Sequence, residues 1–109
     1  MTDLNKLVSQ IREFSEKRDW GQYHKPKDLS LKLMEEVGEL VEHFEWKTDQ
    51  EIKQYLADPD NLDETAAEAI DVLIVILTIL DYCLDVDIDR AFQAKLKKNA
   101  DKYPVKPAK

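Results

Sequence analysis

The chain has 109 residues, which suits one domain, because two domains of half that length would each bury too small a core. A hydrophobic share of 43%, a charged share of 36% and only 2 glycines favour helices over a many-stranded sheet, so we expect an all-α fold. The net charge of -7 argues against binding to nucleic-acid polymers, whose phosphates are held mainly by lysine and arginine.

The first half of the sequence predicts three helices with short breaks between them. Apolar residues at helical spacing indicate a first helix over residues 3–17, and a glycine and a proline interrupt the pattern at residues 21–26. Asp28 is a suitable N-cap, so a second helix is predicted over residues 29–46. A capping-box pattern at residues 48–51 then opens a short third helix.

The second half predicts a loop followed by two more helices. The loop occupies residues 58–61, and a long fourth helix follows over residues 62–84. Between residues 70 and 80 this helix is apolar on every side except at two positions, a pattern typical of a helix that is buried all round. A final lysine-rich helix, marked by apolar residues between Ala91 and Ala100, is predicted to follow it and to end before Pro104.

Three features of the sequence point to a cytoplasmic protein. The N-terminus lacks a basic region followed by an apolar one, so no signal peptide is predicted. The longest apolar run, at residues 70–80, falls short of the roughly 20 residues that span a bilayer. The single cysteine, Cys83, cannot form an internal disulfide, which suits a reducing compartment. We therefore expect one cytoplasmic domain over residues 1–109, with no membrane partner.

The second helix carries a pair of glutamates at the edge of its apolar face. With successive residues about 100° apart, Glu36 and Glu39 lie on one ridge beside the apolar stripe. The same ridge carries Lys32 and His43, and either a contact with a carboxylate or an exposed position suits His43. The neighbouring Glu35 fits a solvated face better. This ridge is therefore a candidate ligand site.

The fourth helix carries a second acidic pair, Glu68 and Asp71, at the head of its apolar segment. A charge desolvated there costs several kcal/mol unless it is paired or binds a metal. Two such pairs on helices packed about 8–10 Å apart would gather four carboxylates, which can stay anionic together only beside cations. Carboxylate oxygens favour Mg²⁺ or Mn²⁺ over zinc. The residues alone also allow a simpler interpretation, in which both pairs are structural or solvating.

Taken together, the two acidic pairs resemble the signature of a known enzyme family. The pattern E-x-x-E at Glu36 and Glu39, followed by E-x-x-D at Glu68 and Asp71 within AAEAIDVLIVIL, resembles the metal-binding signature of the MazG-type all-α nucleoside triphosphate pyrophosphohydrolases. The flanking segments RDWGQYHKPKDLSLKLMEEVGELVEHFEW and KLKKNADKYP are similar to the small branch that contains the dCTP pyrophosphatases. The resemblance covers about residues 10–104.

This resemblance implies a fold, a cofactor and a reaction. Subunits of the family pair to complete a four-helix bundle, so a homodimer or a dimer of dimers is expected. The implied metal ligands are Glu36, Glu39, Glu68 and Asp71, holding Mg²⁺, with Mn²⁺ as a substitute. The implied reaction hydrolyses a nucleoside triphosphate to the monophosphate and pyrophosphate, as house-cleaning of the nucleotide pool. Glu36 or Glu39 would also orient or deprotonate the attacking water as the catalytic carboxylate.

The resemblance assigns further positions to substrate binding. Those near the base are Trp20, His24 and Trp46, and those near the phosphates or the base are Lys95, Asn99 and Lys102. Core packing for the tryptophans and a solvated face for the lysines are the alternatives. Several dCTP-preferring relatives have a tyrosine four residues after the signature aspartate, where this chain has Val75. Base preference is therefore not carried over.

Two rival interpretations come from other functional classes. A di-iron carboxylate bundle would need Glu-x-x-His on two helices, but His43 follows Glu39 by four residues and the fourth helix has no histidine. A non-enzymatic interaction module would use the apolar fourth helix to form a dimer and its acidic ridges only for solubility. In that case the loss of Glu68 or Asp71 would be harmless or stabilising.

Overall fold

The computed structural model describes residues 3–106, and this part of the chain is helical and contains no strand. The helices are α1 (Leu4–Lys17), α2 (Pro26–Glu42), α3 (Asp49–Ala57), α4 (Pro59–Thr78) and α5 (Ile88–Lys102). A 3₁₀ turn at Gly21–Tyr23 precedes α2, and a π-helical turn at Ile79–Cys83 continues α4. The prediction of an all-α fold is confirmed.

Side-chain caps explain where several of these helices begin. Asp3 accepts a hydrogen bond from the backbone N–H of Lys6 at 2.8 Å and so caps α1. The capping box at the start of α3 is present as predicted, with the Thr48 and Glu51 side chains each accepting from the other residue's backbone N–H. These bonds satisfy N–H groups that have no partner inside the helix.

Two predicted helix starts are wrong for the same physical reason. α2 begins at Pro26 rather than at residue 29, so Asp28 lies in its first turn and is not its N-cap. α4 begins at Pro59, so residues 58–61 do not form a loop. Proline is favourable in the first helical turn, because the N–H that it lacks would have no intrahelical partner there and its φ is already helical. Asp58 then caps α4 by accepting from the Asp60 N–H at 2.9 Å.

The centre of the fold is the packing of α2 along α4. α1 and α3 also pack against α4, whereas α5 makes no comparable contact with another helix of the described chain. The two helices that carry the acidic pairs are therefore direct neighbours. None of the helices within residues 3–106 is both long and apolar enough to cross a membrane.

The prediction that α4 is buried all round is wrong for the single chain. Val75 and Leu77 are buried, but Ile70 is 51% exposed and Ile74 is 38% exposed. The physical reason is that the other helices of one chain cover only one side of α4. The radius of gyration, 17.4 Å, is also larger than the about 13 Å expected of a compact domain of 100 residues. The chain alone leaves a broad apolar surface open.

Candidate active site

Three of the four predicted metal ligands meet between α2 and α4. One carboxylate oxygen from each of Glu36, Glu39 and Glu68 lies within 4.8 Å of the other two. Glu36 and Glu39 lie on adjacent turns of α2, and Glu68 approaches them from the facing side of α4. We call this group the carboxylate cluster.

Burial leaves part of the carboxylate cluster without hydrogen bonds. Glu36 is only 7% exposed, and one of its oxygens, Oε1, forms an ion pair with Lys32 Nζ at 3.0 Å. This contact raises the pKa of Lys32. The other oxygen, Glu36 Oε2, and the Oε2 of Glu68 are buried and have no hydrogen-bond partner within residues 3–106. Buried carboxylate oxygens are costly in that state, so both are suited to a cation.

Electrostatic repulsion within the carboxylate cluster is visible at Glu39. A hydrogen bond with Glu68 is the main cause that raises the pKa of Glu39, and the negative charges of Glu36 and Glu68 raise it further. Carboxyl groups this close favour sharing a proton over full ionisation. A divalent cation relieves the same repulsion, and an all-oxygen donor set is the kind that Mg²⁺ and Mn²⁺ prefer. The cluster therefore has the chemistry of a divalent metal site.

The fourth predicted ligand, Asp71, lies outside the carboxylate cluster. It is exposed, one turn further along α4, where it lines the same cavity as Glu36. This cavity has a volume of about 680 Å³ and lies between α1, α2 and α4. Its walls are mainly apolar, and Glu36 and Asp71 give it an acidic edge.

Two of the predicted base-binding residues, Trp20 and His24, also line this large cavity. Trp20 is 44% exposed and packs edge-to-face against Phe14, with ring centroids 5.5 Å apart. His24 packs edge-to-face against Tyr82 at 4.6 Å, and its burial lowers the pKa of the imidazole. Its Nδ1 is buried without a partner in the described chain. The imidazole of His24, with its unpartnered Nδ1 in this part of the chain, and the indole of Trp20 line one cavity and suit a heteroaromatic ligand.

The other predicted substrate residues lie away from the cavity in the single chain. Trp46 is 87% exposed in the turn after α2. Lys95, Asn99 and Lys102 lie on α5, which makes no contact with α2 or α4 comparable to their contact with each other within residues 3–106. None of these four residues lines the large cavity or the smaller, acidic cavity beside Glu39 and Glu68 within residues 3–106.

Sequence reasoning missed the environment of His43. The imidazole of His43 is half-buried, so the residue is not an exposed helix residue. Its Nδ1 lies 2.8 Å from Tyr55 Oη and 3.2 Å from Thr65 Oγ1, so its partners within residues 3–106 are hydroxyl groups and not carboxylates. It lines a second cavity of about 560 Å³ together with Glu39 and Glu68. Helical spacing offered a signal, since Thr65 precedes Glu68 by three residues and His43 follows Glu39 by four. The contact with α3 carries no sequence signal.

The environment of His43 also bears on the di-iron interpretation. The three residues of the carboxylate cluster are all glutamates, and no histidine joins them within the described range. The Nδ1 of His43 faces two hydroxyl groups. The geometry therefore lacks the histidine ligands that a di-iron carboxylate bundle requires.

Comparisons with known proteins agree on one group of enzymes. No protein-family model matches the chain. It is 41% identical over 105 residues to dCTP pyrophosphatase 1 of Rattus norvegicus and 39% identical over 104 residues to that of Homo sapiens. The match includes 96% and 95% of this chain, respectively, but only 59% of each relative. The chain thus spans about three fifths of the length of these curated relatives.

A solved structure matches over nearly its whole length. The crystal structure of a pyrophosphatase from Archaeoglobus fulgidus superimposes with a TM-score of 0.78 at 33% sequence identity, covering 96% of this chain and 95% of that one. The shared fold, the identity to the dCTP pyrophosphatases and the paired acidic motifs on α2 and α4 agree with one another. The chain belongs to the MazG-like all-α pyrophosphohydrolases, and over most of its length it is similar to the dCTP pyrophosphatases.

Proposed function

We propose that the protein hydrolyses a nucleoside or deoxynucleoside triphosphate to the monophosphate and pyrophosphate, with Mg²⁺ bound at the carboxylate cluster. The observation that carries this proposal is the meeting of three glutamates from two helices, with two buried carboxylate oxygens that have no hydrogen-bond partner within residues 3–106. The named relatives are dCTP pyrophosphatases, and the superimposed structure is a pyrophosphatase. House-cleaning of the nucleotide pool in the cytoplasm is the role that suits this reaction.

The metal ligands in this proposal are Glu36, Glu39, Glu68 and Asp71. The first three already lie together, and Asp71 reaches the same cavity edge as Glu36. Bound Mg²⁺, or Mn²⁺ in its place, would neutralise the phosphate oxygens and acidify a coordinated water. The net charge of -7 does not oppose binding of a triphosphate, because the nucleotide would arrive with its cation.

Glu39 is the better candidate for orienting the attacking water. Glu36 is buried and has one oxygen bound by Lys32, whereas Glu39 is exposed to solvent. An oxygen of the exposed Glu39 carboxylate that is not bound to metal would accept a hydrogen bond from the attacking water and so orient it. Glu36 would then serve mainly as a metal ligand.

The large cavity is the proposed seat of the nucleoside. Its volume of about 680 Å³ is within the range of small-molecule sites, and Trp20 and His24 would contact the base. The acidic edge at Glu36 and Asp71 would place the phosphates and metal together at one end. Val75 is buried in the wall of this cavity, so its side chain offers the base no hydrogen-bonding group.

A second copy of the chain is the proposed partner, in a homodimer or a dimer of dimers. The exposed apolar side of α4 and the uncovered apolar residues of α5, such as Phe92 at 55% exposure, would pack against it. Gly38 gives further support, because a Cβ there would meet no atom of the described part of the chain within 4 Å. A glycine inside a helix costs about 1 kcal/mol relative to alanine, so close approach by another helix would explain its presence.

Pairing would also account for the residues that lie away from the cavity. Trp46, Lys95, Asn99 and Lys102 would join the substrate site only if a neighbouring subunit supplied them. The lysines would then meet the phosphates as charge-assisted donors. The whole chain, residues 1–109, would act as one domain in each subunit.

The experiment that tests the proposed function is a panel of standard and modified NTPs and dNTPs, assayed for pyrophosphate release with Mg²⁺. We expect at least one to be cleaved to its monophosphate, and we expect Glu36→Gln to abolish the activity. Glu35→Gln is the matched control, since it removes the same charge from an exposed neighbour on α2. If no nucleotide is cleaved, or if Glu36→Gln behaves as wild type, the proposed function is wrong.

A further inference from the structure

We propose that His43 is a positioning residue, which holds Glu39 and Glu68 at the separation that their metal requires by bonding to Thr65 and Tyr55. The inference rests on the proposed function, because it concerns the same carboxylate cluster. Within residues 3–106, His43 forms no hydrogen bond with a carboxylate and does not line the large cavity, so its role would be indirect.

The His43 contact lies directly beside the carboxylate cluster. His43 follows Glu39 by four residues, directly after the end of α2. Thr65 precedes Glu68 by three residues on α4. Because residues three or four apart share one face of a helix, the contact between His43 and Thr65 lies one helical turn from that between Glu39 and Glu68. The two contacts therefore follow one another along the interface between the antiparallel helices α2 and α4.

The hydrogen bonds at His43 join three helices. Thr65 Oγ1 donates its single proton to the carbonyl oxygen of Asn61 at 2.7 Å, so it can only accept from the imidazole 3.2 Å away. In the tautomer that carries its proton at Nδ1, His43 donates to Thr65 and shares that single N–H with Tyr55 Oη at 2.8 Å. The imidazole thus connects the end of α2 with both α3 and α4.

A lysine holds the backbone at the same place. Lys47 Nζ donates to the carbonyl oxygen of His43 at 2.9 Å and lies 4.3 Å from the centre of the Tyr55 ring. The half-buried imidazole is consequently restrained at both its ring and its backbone. Such restraint is the condition for a residue that is to position others.

The carboxylate cluster needs a restraint of this kind. Glu39 and Glu68 repel each other when both are ionised, which would drive α2 and α4 apart. Lys32 offsets the charge of Glu36, but both residues belong to α2, so their ion pair does not join the two helices. Between residues 3 and 106, the contact of His43 with Thr65 is the one side-chain hydrogen bond outside the carboxylate cluster that joins the end of α2 to α4.

The test compares His43→Leu with His43→Asn. Both replacements branch at Cγ, but only asparagine keeps a polar atom where Nδ1 lies. We expect His43→Leu to raise the Mg²⁺ concentration for half-maximal activity about tenfold, in the range found when residues that support metal ligands are removed. The turnover at saturating Mg²⁺ and the KM for the nucleotide should stay near those of wild type. His43→Asn should keep the Mg²⁺ requirement within about twofold to threefold of wild type.

A second pair of variants guards against simple loss of folding. Thr65→Val removes the acceptor for His43, and Thr78→Val is its matched control. Both threonines are buried on α4 and donate to the carbonyl four residues earlier at 2.7 Å, but only Thr65 meets the imidazole. Thr65→Val should weaken Mn²⁺ binding, measured by electron paramagnetic resonance, whereas Thr78→Val should not.

The outcomes separate the two proposals. If wild type neither binds Mn²⁺ nor cleaves a nucleotide, the proposed function fails. If wild type does both, but His43→Leu and Thr65→Val lower only the melting temperature and change the metal requirement less than about twofold, the positioning role is refuted and the contact is merely structural. A selective rise in the metal requirement, restored by His43→Asn, supports it.

Discussion

Replacing Glu36 by glutamine should remove most of the stabilisation that the protein gains from Mg²⁺. The substitution keeps the size of a side chain that is 7% exposed and removes its charge. The lost ion pair should cost little in the metal-free protein, because Lys32 has a side chain that is 56% exposed and can be solvated instead. The carboxylate cluster, in contrast, loses the proposed ligand whose buried Oε2 has no hydrogen-bond partner between residues 3 and 106.

The expected size of the effect follows from binding linkage. Mg²⁺ at a hundredfold excess over its dissociation constant stabilises wild type by about 2.7 kcal/mol. At about 4–8 °C per kcal/mol for a domain of this size, the melting temperature should rise by about 10–20 °C. If Glu36→Gln weakens binding about a hundredfold, the same Mg²⁺ concentration gives only about 0.4 kcal/mol and a rise of about 2–3 °C.

The assay is thermal unfolding followed by circular dichroism, with and without Mg²⁺ and a non-hydrolysable nucleotide analogue. The protein concentration must be constant, because unfolding of an oligomer depends on it. Glu35→Gln removes an equal charge from an exposed position and should respond to Mg²⁺ as wild type does. Equal responses from the two variants, or a wild type that Mg²⁺ does not stabilise under either condition, would refute the assignment of Glu36 as a ligand.

Three further predictions concern other parts of the molecule. Neighbouring carboxyl groups raise the pKa of Glu39, so its ionisation disfavours the folded state. Without metal, Glu39→Gln should therefore have a higher melting temperature than wild type at pH 8 and should lose that advantage at acidic pH. Melting curves recorded across this pH range test the prediction. Ile74→Glu should yield a smaller species by light scattering, whereas Val105→Glu, at a 95% exposed position, should not. Trp20→Ala should raise the nucleotide KM about fivefold to a hundredfold in steady-state kinetics, since base stacking contributes about 1–3 kcal/mol.

Local signals were enough to predict most of the fold. The capping box at Thr48 and Glu51 placed α3 correctly, because both of its bonds lie within four residues of chain. The prolines were misjudged because Pro26 and Pro59 were treated as helix breakers, although each occupies a first turn. The exposure of α4 could not be predicted from its own residues, because its composition shows that it needs cover but not which chain supplies that cover.

The site was predictable to the extent that it depends on helical spacing. Glu36 and Glu39 share one face of α2, and one contact between two helices was enough to add Glu68. The positions on α5 were different, since placing Lys95 required knowledge of where that helix packs. His43 was missed because its bond to Tyr55 depends on how α3 folds back.

The two halves of α4 differ in how completely the other helices of one chain cover them. The half that holds Thr65 and Glu68 is bound to α2 and α3 within one chain, so this part of the carboxylate cluster forms without a partner. The half that begins at Ile70 is open on one side, and Asp71 lies at the boundary with an exposed side chain. In the proposed assembly a second copy would cover Ile70 and thereby restrict Asp71. Completion of the metal site and formation of the oligomer would then be linked, so Mg²⁺ should strengthen the assembly and dilution should weaken Mg²⁺ binding.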